Sequence, residues 1–183
     1  MLTASSNSTG SANSALGASG AGNETIVAAG GTLNVGGSNL GGESVQIQGT
    51  GVGGVGALIN DGAAQNNALQ FVALTGDATI NASGSLTTGF SRFDIRTTGF
   101  TAGAKNLDLA GFTLTKNGGA QFSLVNTDVT AGNIVVNNGL FSIEGDTRMP
   151  DPRDSGEWRE TASEDHPAAD GRPAFRFVTL ERS

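Results

Sequence analysis

Cysteine is absent from the 183-residue sequence. That excludes disulfides, thiolate metal sites and cysteine nucleophiles. Charge is scarce: 15% of residues are Asp, Glu, Lys or Arg, and the formal net charge is -7. A nucleic-acid surface needs clustered Lys and Arg against phosphate, and this composition argues against one. No apolar run approaches the roughly 18 residues that a membrane helix needs. Residues 1–23 carry no charged side chain and no apolar block, so they lack the pattern of a secretory signal peptide. A cytosolic chain fits these absences, as does an exported one whose start lies upstream of Met1. Helical periodicity is missing too, and the first 149 residues contain no proline.

Gly, Ser, Thr, Asn and Ala fill the gap. Residues 1–23 are a Ser/Gly/Ala/Asn tract that cannot bury enough surface to offset ordering, and a flexible segment is expected. Residues 24–146 carry short alternating runs bounded by Gly, Asn or Asp: TLNV (32–35), SVQIQ (44–48), ALIN (57–60), LQFVAL (69–74), ATIN (78–81), RFDIR (92–96), NLDL (106–109), FTLT (112–115), QFSLV (121–125), NIVVN (133–137) and LFSIE (140–144). Apolar pairs at i and i+2 share one strand face, as in Val45/Ile47, Phe93/Ile95 and Phe122/Leu124. Many short strands fit a β-sandwich or a stacked solenoid. Very short strands, glycine or asparagine turns and ladder-like apolar residues favour the solenoid. At roughly 20 to 25 residues per coil the body would make about five or six coils, each held by its neighbours.

The composition changes at about residue 147. Residues 147–183 hold all four prolines, the single His and Trp, and six of the eight arginines. DSGEWRETASED (154–165) reads as one or two helical turns capped by Asp154 or Ser155, and FRFVTL (175–180) as a strand. Two origins fit this charged Pro/Arg-rich tail. One is an out-of-frame or otherwise foreign sequence. The other is a cap, since an open solenoid end leaves strand edges bare.

Residues 112–146 read FTLTKNGGAQFSLVNTDVTAGNIVVNNGLFSIEGD. Leu114-Thr115-Lys116, Gly118-Gly119, Phe122 and Leu124, Thr130-Ala131-Gly132, Val136-Asn137-Asn138-Gly139, and Phe141 with Ile143 follow the order and spacing of one motif. The stretch resembles the autotransporter-associated β-strand repeat, with Ala131 where glycine is usual. Residues 57–111 resemble a looser upstream part of such a passenger. The resemblance implies an all-β fold, a right-handed single-stranded parallel β-helix of the pectin-lyase-like kind, in a secreted or surface-exposed bacterial protein. Such passengers serve as stalks or adhesive surfaces. The resemblance also implies that this chain is an internal fragment or a shortened product.

Candidate chemistry is thin. Asn126-Thr127-Asp128 resembles the Asn-Thr-Asp triplet of polygalacturonases, but the further carboxylates that glycosidic hydrolysis needs are missing from the body. A turn asparagine and a surface aspartate are the plain reading. Arg92, Asp94 and Arg96 share one strand face. Lyase chemistry with an arginine base is the enzymatic reading and a solvated charge ladder the plain one. Asp61, Asp77, Asp94, Asp108 and Asp128 would have to converge to bind calcium, which takes six to eight oxygens. GTGVGGVG (49–56) lacks the Gly-Lys-Ser/Thr ending of a phosphate loop, and His166 stands alone in the tail. Asn7-Ser8-Thr9, Asn23-Glu24-Thr25 and Asn81-Ala82-Ser83 match the glycosylation pattern, which chance supplies in such a composition. Asn66-Asn67, Asn117, Asn133 and Asn137-Asn138 suit left-handed turns and stacked ladders.

No catalytic, cofactor-binding or metal residue is assigned, and no cofactor is expected. The expected function is a non-enzymatic structural or adhesive segment at the cell surface. Its expected partner is a surface polysaccharide or a receptor on a host or neighbouring cell, without nucleic acid and without membrane insertion. The alternatives are a polysaccharide lyase or glycoside hydrolase on the same fold, and a non-functional truncated gene product.

Overall fold

Alternation with period two builds strands throughout, and the computed structural model is all-β. It describes residues 1–7, 15–19, 22–82, 92–168 and 174–183. The strands are β1 (Leu2–Thr3), β2 (Thr25–Val27), β3 (Leu33–Asn34), β4 (Ser44–Gly49), β5 (Leu58–Ile59), β6 (Gln65–Leu69), β7 (Phe71–Asn81), β8 (Phe93–Arg96), β9 (Leu107–Asp108), β10 (Thr113–Asn117), β11 (Phe122–Val125), β12 (Asn133–Val136), β13 (Phe141–Glu144), β14 (Trp158–His166) and β15 (Phe175–Arg182). The chain divides into two units, Met1–Met149 and Pro150–Ser183.

Every strand pair of the first unit is parallel. The pairs form three rows. One runs β1-β3-β5-β7-β10-β12, and a second runs β6-β8-β11-β13. The third runs β2-β4-β7-β9, and single bridges continue it from Leu107 to Val129 and from Asp128 to Arg148. The chain visits the rows in turn, and β7 is long enough to serve two of them.

In-register parallel pairing places like side chains over one another. Phe93, Phe122 and Phe141 are successive partners, with ring centroids 5.3 and 5.9 Å apart. Ile95, Leu124 and Ile143 form the adjacent ladder, and Val45, Val72, Leu107 and Val129 another. Apart from Ile143, which is exposed at the end of its ladder, these residues meet in one core shared by the rows. Each fully buried Leu, Ile, Val or Phe contributes about 1.5–3 kcal/mol. A strand of two to six residues cannot bury that surface alone, so each depends on the strand above and below.

The ladder Leu2, Leu33, Leu58, Ile80, Lys116, Val136 breaks the apolar rule. Lys116 is fully buried. Its Nζ donates to the Asn138 carbonyl at 2.9 Å and to the Gly118 carbonyl. Gly139, at φ +76°, packs against this ammonium: an added Cβ would stand 2.6 Å from Lys116 Nζ. The lysine thus ties the turn after β10 to the turn after β12.

Two expectations need correction. Residues 1–23 are not a free linker throughout. Leu2 and Thr3 pair with Leu33 and Asn34, Leu2 N donates to Thr32 O at 2.9 Å and Ala4 N to Asn34 O at 2.9 Å, and Ala4 is buried. Leu2 is an exposed terminal rung, and these backbone bonds with the burial of Ala4 hold the segment in place. Nor is 154–165 helical. A short 3-10 turn spans Pro152–Ser155, capped by the Asp151 carboxylate, which accepts from Arg153 N at 2.9 Å, and ended by left-handed Gly156. Trp158–His166 is a strand, antiparallel to Phe175–Arg182. Cross-strand pairs of Arg159 with Glu181 and Arg176 with Glu160 reward the hairpin over a helix. The strand expected over 175–180 is present.

Two outcomes follow from this packing. Phe122 lies between two rings, so Phe122→Ala should cost about 3–5 kcal/mol in chemical denaturation, and Phe141→Ala, half-buried, less. Burial also holds Lys116 below the usual lysine range. Between that lowered value and the unfolded one of about 10.4, the unfolded chain binds more protons. Stability should therefore rise with pH across this window. Urea titrations between pH 7.5 and 10 should show the rise in the native chain and not in Lys116→Met.

Candidate functional site

The outer face of β8 and β11 carries the densest polar network. Arg92, Asp94 and Arg96 point away from Phe93 and Ile95, as strand alternation requires. The two arginines clamp one carboxylate. Arg92 Nε and Nη2 donate to Asp94 Oδ1 and Oδ2 at 3.0 and 2.9 Å, and Arg96 Nη2 reaches Oδ2 at 3.1 Å. Asp94 is fully buried beneath them, while the arginine side chains stay 27% and 28% exposed. Arg96 Nε also donates to the Asn66 carbonyl at 2.8 Å. Along the register Asp94 meets Ser123 and then Ser142. Gln121 donates to Ser123 Oγ at 2.8 Å, and Ser142 to Glu144 Oε1 at 2.8 Å. The Arg92 guanidinium is held further above its usual range by the Asp94 hydrogen bonds, with smaller contributions from the charges of Asp94 and Glu144. It keeps its proton, which is the wrong state for a base.

Asn126-Thr127-Asp128 is a joint between strands. Asn126 is left-handed, with φ 53°. Its Nδ2 donates to the Thr97 carbonyl at 3.2 Å and its Oδ1 accepts from Asp146 N at 3.0 Å, so one side chain links three successive turns. Thr127 is buried and meets Thr147 Oγ1. Asp128 Oδ2 accepts from Lys105 N at 3.1 Å.

The candidate calcium aspartates are spread out. Asp61 accepts from Asn34, Asp77 from Thr113 N, and Asp108 from the Thr130 hydroxyl at 2.6 Å. Among the described residues no three His, Asp or Glu side chains converge as a metal site. The loop of residues 49–56 closes on Thr32, whose hydroxyl donates to Gly56 O and accepts from Val52 N, both at 2.8 Å. Its amides are not gathered around a cavity. His166 lies edge-on to Phe177, 5.3 Å between centroids, and 3.2 Å from Glu164. Of the glycosylation matches, Ser8, Thr9 and Ser83 lie outside the described residues. Glu24 of the remaining one accepts from Gly22 N at 3.0 Å.

The asparagine ladder is real in part. Asn137 Nδ2 donates to Asn117 Oδ1 at 2.8 Å, and Asn117 pairs with Asn81. The buried turn asparagines are others, Asn34, Asn60 and Asn106. Asn60 Oδ1 accepts from Gly37 N and Gly62 N, while its Nδ2 donates to Ala63 O and Arg92 O. Asn106 bridges Asp128 N and Gln70 O. Asn60 ends its run before a turn, Asn106 opens its run after one, and Asn34 lies one residue before the end of its run, so an asparagine at the margin of an apolar run is the signal that could have marked them.

Comparison of the chain with protein-family models, curated proteins and solved structures finds no match. The fold and its outer faces define an all-β protein with mostly parallel sheets. Among the described residues no helix is long and apolar enough to cross a membrane.

Asp94 is the keystone of the arginine pair. Asp94→Ala should leave two guanidinium groups facing each other and cost about 1–3 kcal/mol, more than Arg96→Ala. Paired denaturation curves with a double-mutant cycle would measure the difference.

Proposed function

We propose that the first unit is a right-handed single-stranded parallel β-helix, acting as a non-enzymatic structural or adhesive segment of a secreted bacterial surface protein. The observation that carries the reading is the row arrangement. Successive strands pair in parallel with partners 19 to 36 residues away, and side-chain bonds span similar separations. A chain that returns to the same row after each circuit is a coil, and stacked coils hold outward side chains in fixed columns. Asn81 and Asn117 form one such column, half-buried, and in the neighbouring column Thr115 is half-buried while Thr79 is covered. Columns of hydroxyl and amide groups suit contact with a surface glycan or a cell-surface receptor.

The enzymatic alternative needs a base or an acid of suitable pKa. Arg92 is locked as a cation by Asp94, and the side chains of Asn126, Thr127 and Asp128 are spent on joining turns. These are reasons to prefer the scaffold.

Incubation of the full chain with polygalacturonate and other acidic polysaccharides should give no unsaturated uronate absorbance and no new reducing ends. Binding of labelled chain to bacterial or host cells, measured by flow cytometry, should be saturable. Cleavage that disappears in Arg92→Ala would replace this reading with a lyase.

A further inference from the structure

We propose that a groove on the outer face of the β2-β4-β7-β9 row is a binding subsite for one neutral sugar unit of a glycan. The inference rests on the adhesive reading above and names where and what it binds. The groove has a volume of about 190 Å³, and strand register explains why it exists. Ala73 pairs with Gln46 on one side and with Asp108 on the other. A methyl group between two longer side chains leaves a notch. Along the same strand, Phe71 stands opposite Ser44 and points outward with Ala73, because Val72 and Leu74 fill the core. A half-buried phenylalanine on an outer face bears a cost in water and offers an apolar wall.

The polar groups match a sugar in kind. Glu24 and Asp108 supply acceptors, and Lys105 Nζ and the Gln46 amide supply donors. A sugar hydroxyl both donates and accepts, and the C–H face of the ring suits Phe71. The walls are preorganised: Asp108 accepts from Thr130 Oγ1 at 2.6 Å and Ala110 N at 3.1 Å, and Glu24 from Gly22 N at 3.0 Å. Groups already held need less ordering on binding. Lys105 is occupied by Asp108, 3.6 Å away, so the groove carries a net negative charge. A uronate or sulfated sugar would meet Glu24 and Asp108 as like charges, which selects a neutral unit. Both carboxyls lie below their usual range, Glu24 through backbone hydrogen bonds and Asp108 through the Thr130 hydroxyl first and Lys105 next. As carboxylates they accept hydrogen bonds from sugar hydroxyls.

The test is binding of the full chain to an immobilised panel of neutral oligosaccharides built from glucose, galactose, mannose and N-acetylglucosamine, beside polygalacturonate. Ala73→Leu fills the notch and Phe71→Ser removes the wall. Thermal melts check that both variants stay folded. The expected result is binding to a neutral member, weakened about tenfold or more by either change, with polygalacturonate bound less. Neutral binding that survives both changes overturns the site and leaves the adhesive reading standing. Binding to no neutral member also overturns the site, and cell binding by the same chain then decides the adhesive reading separately.

Discussion

Parallel pairing between strands distant in sequence is the constraint on which the first unit depends. A two-residue strand such as β3 or β5 has almost no stability of its own. It persists because Leu33 lies between Leu2 and Leu58, and Leu58 between Leu33 and Ile80. The energy is cooperative in one direction, from strand to strand, as in any stacked array. This explains a core assembled from Leu, Ile, Val, Phe and Ala in columns.

The turns carry a second requirement. The backbone turns sharply between strands, and buried amides and carbonyls must find partners. Asparagines meet it at Asn34, Asn60, Asn106 and Asn126. Lys116 meets it differently, by sending an ammonium along the core to two carbonyls. A buried cation bonded only to neutral oxygens bears a desolvation cost. The depressed proton affinity of Lys116 expresses that cost.

Strand positions were legible because alternation is a local property. Phe93/Ile95 and Phe122/Leu124 announce their faces in four residues, and the shared face of Arg92, Asp94 and Arg96 follows from the same period. Four features were not legible. Leu2 reads as part of a featureless tract because its partner, Leu33, is 31 residues away. WRETASED reads as helical because its charges also suit an exposed helix, and only the pairing with Phe175–Arg182 decides otherwise. Lys116 reads only as part of a repeat opening, yet it sits two positions after the core residue Leu114, on the same face. That parity was the available clue. The groove at Ala73 was invisible for a similar reason: it depends on which residues of β4 and β9 flank an alanine, and register across strands is not written in one strand.

Because the chain has no cysteine, cross-linking tests the register without background. Ser123 and Ser142 are paired neighbours on β11 and β13, within the Cα spacing of about 4.4–6.8 Å that a disulfide bridges. The double variant Ser123→Cys/Ser142→Cys should oxidise rapidly to an intramolecular disulfide under native conditions. Ser123→Cys/Leu140→Cys, displaced by two residues, should oxidise far more slowly. Equal rates in the two variants, or failure of the first pair to form, would contradict the in-register parallel stack.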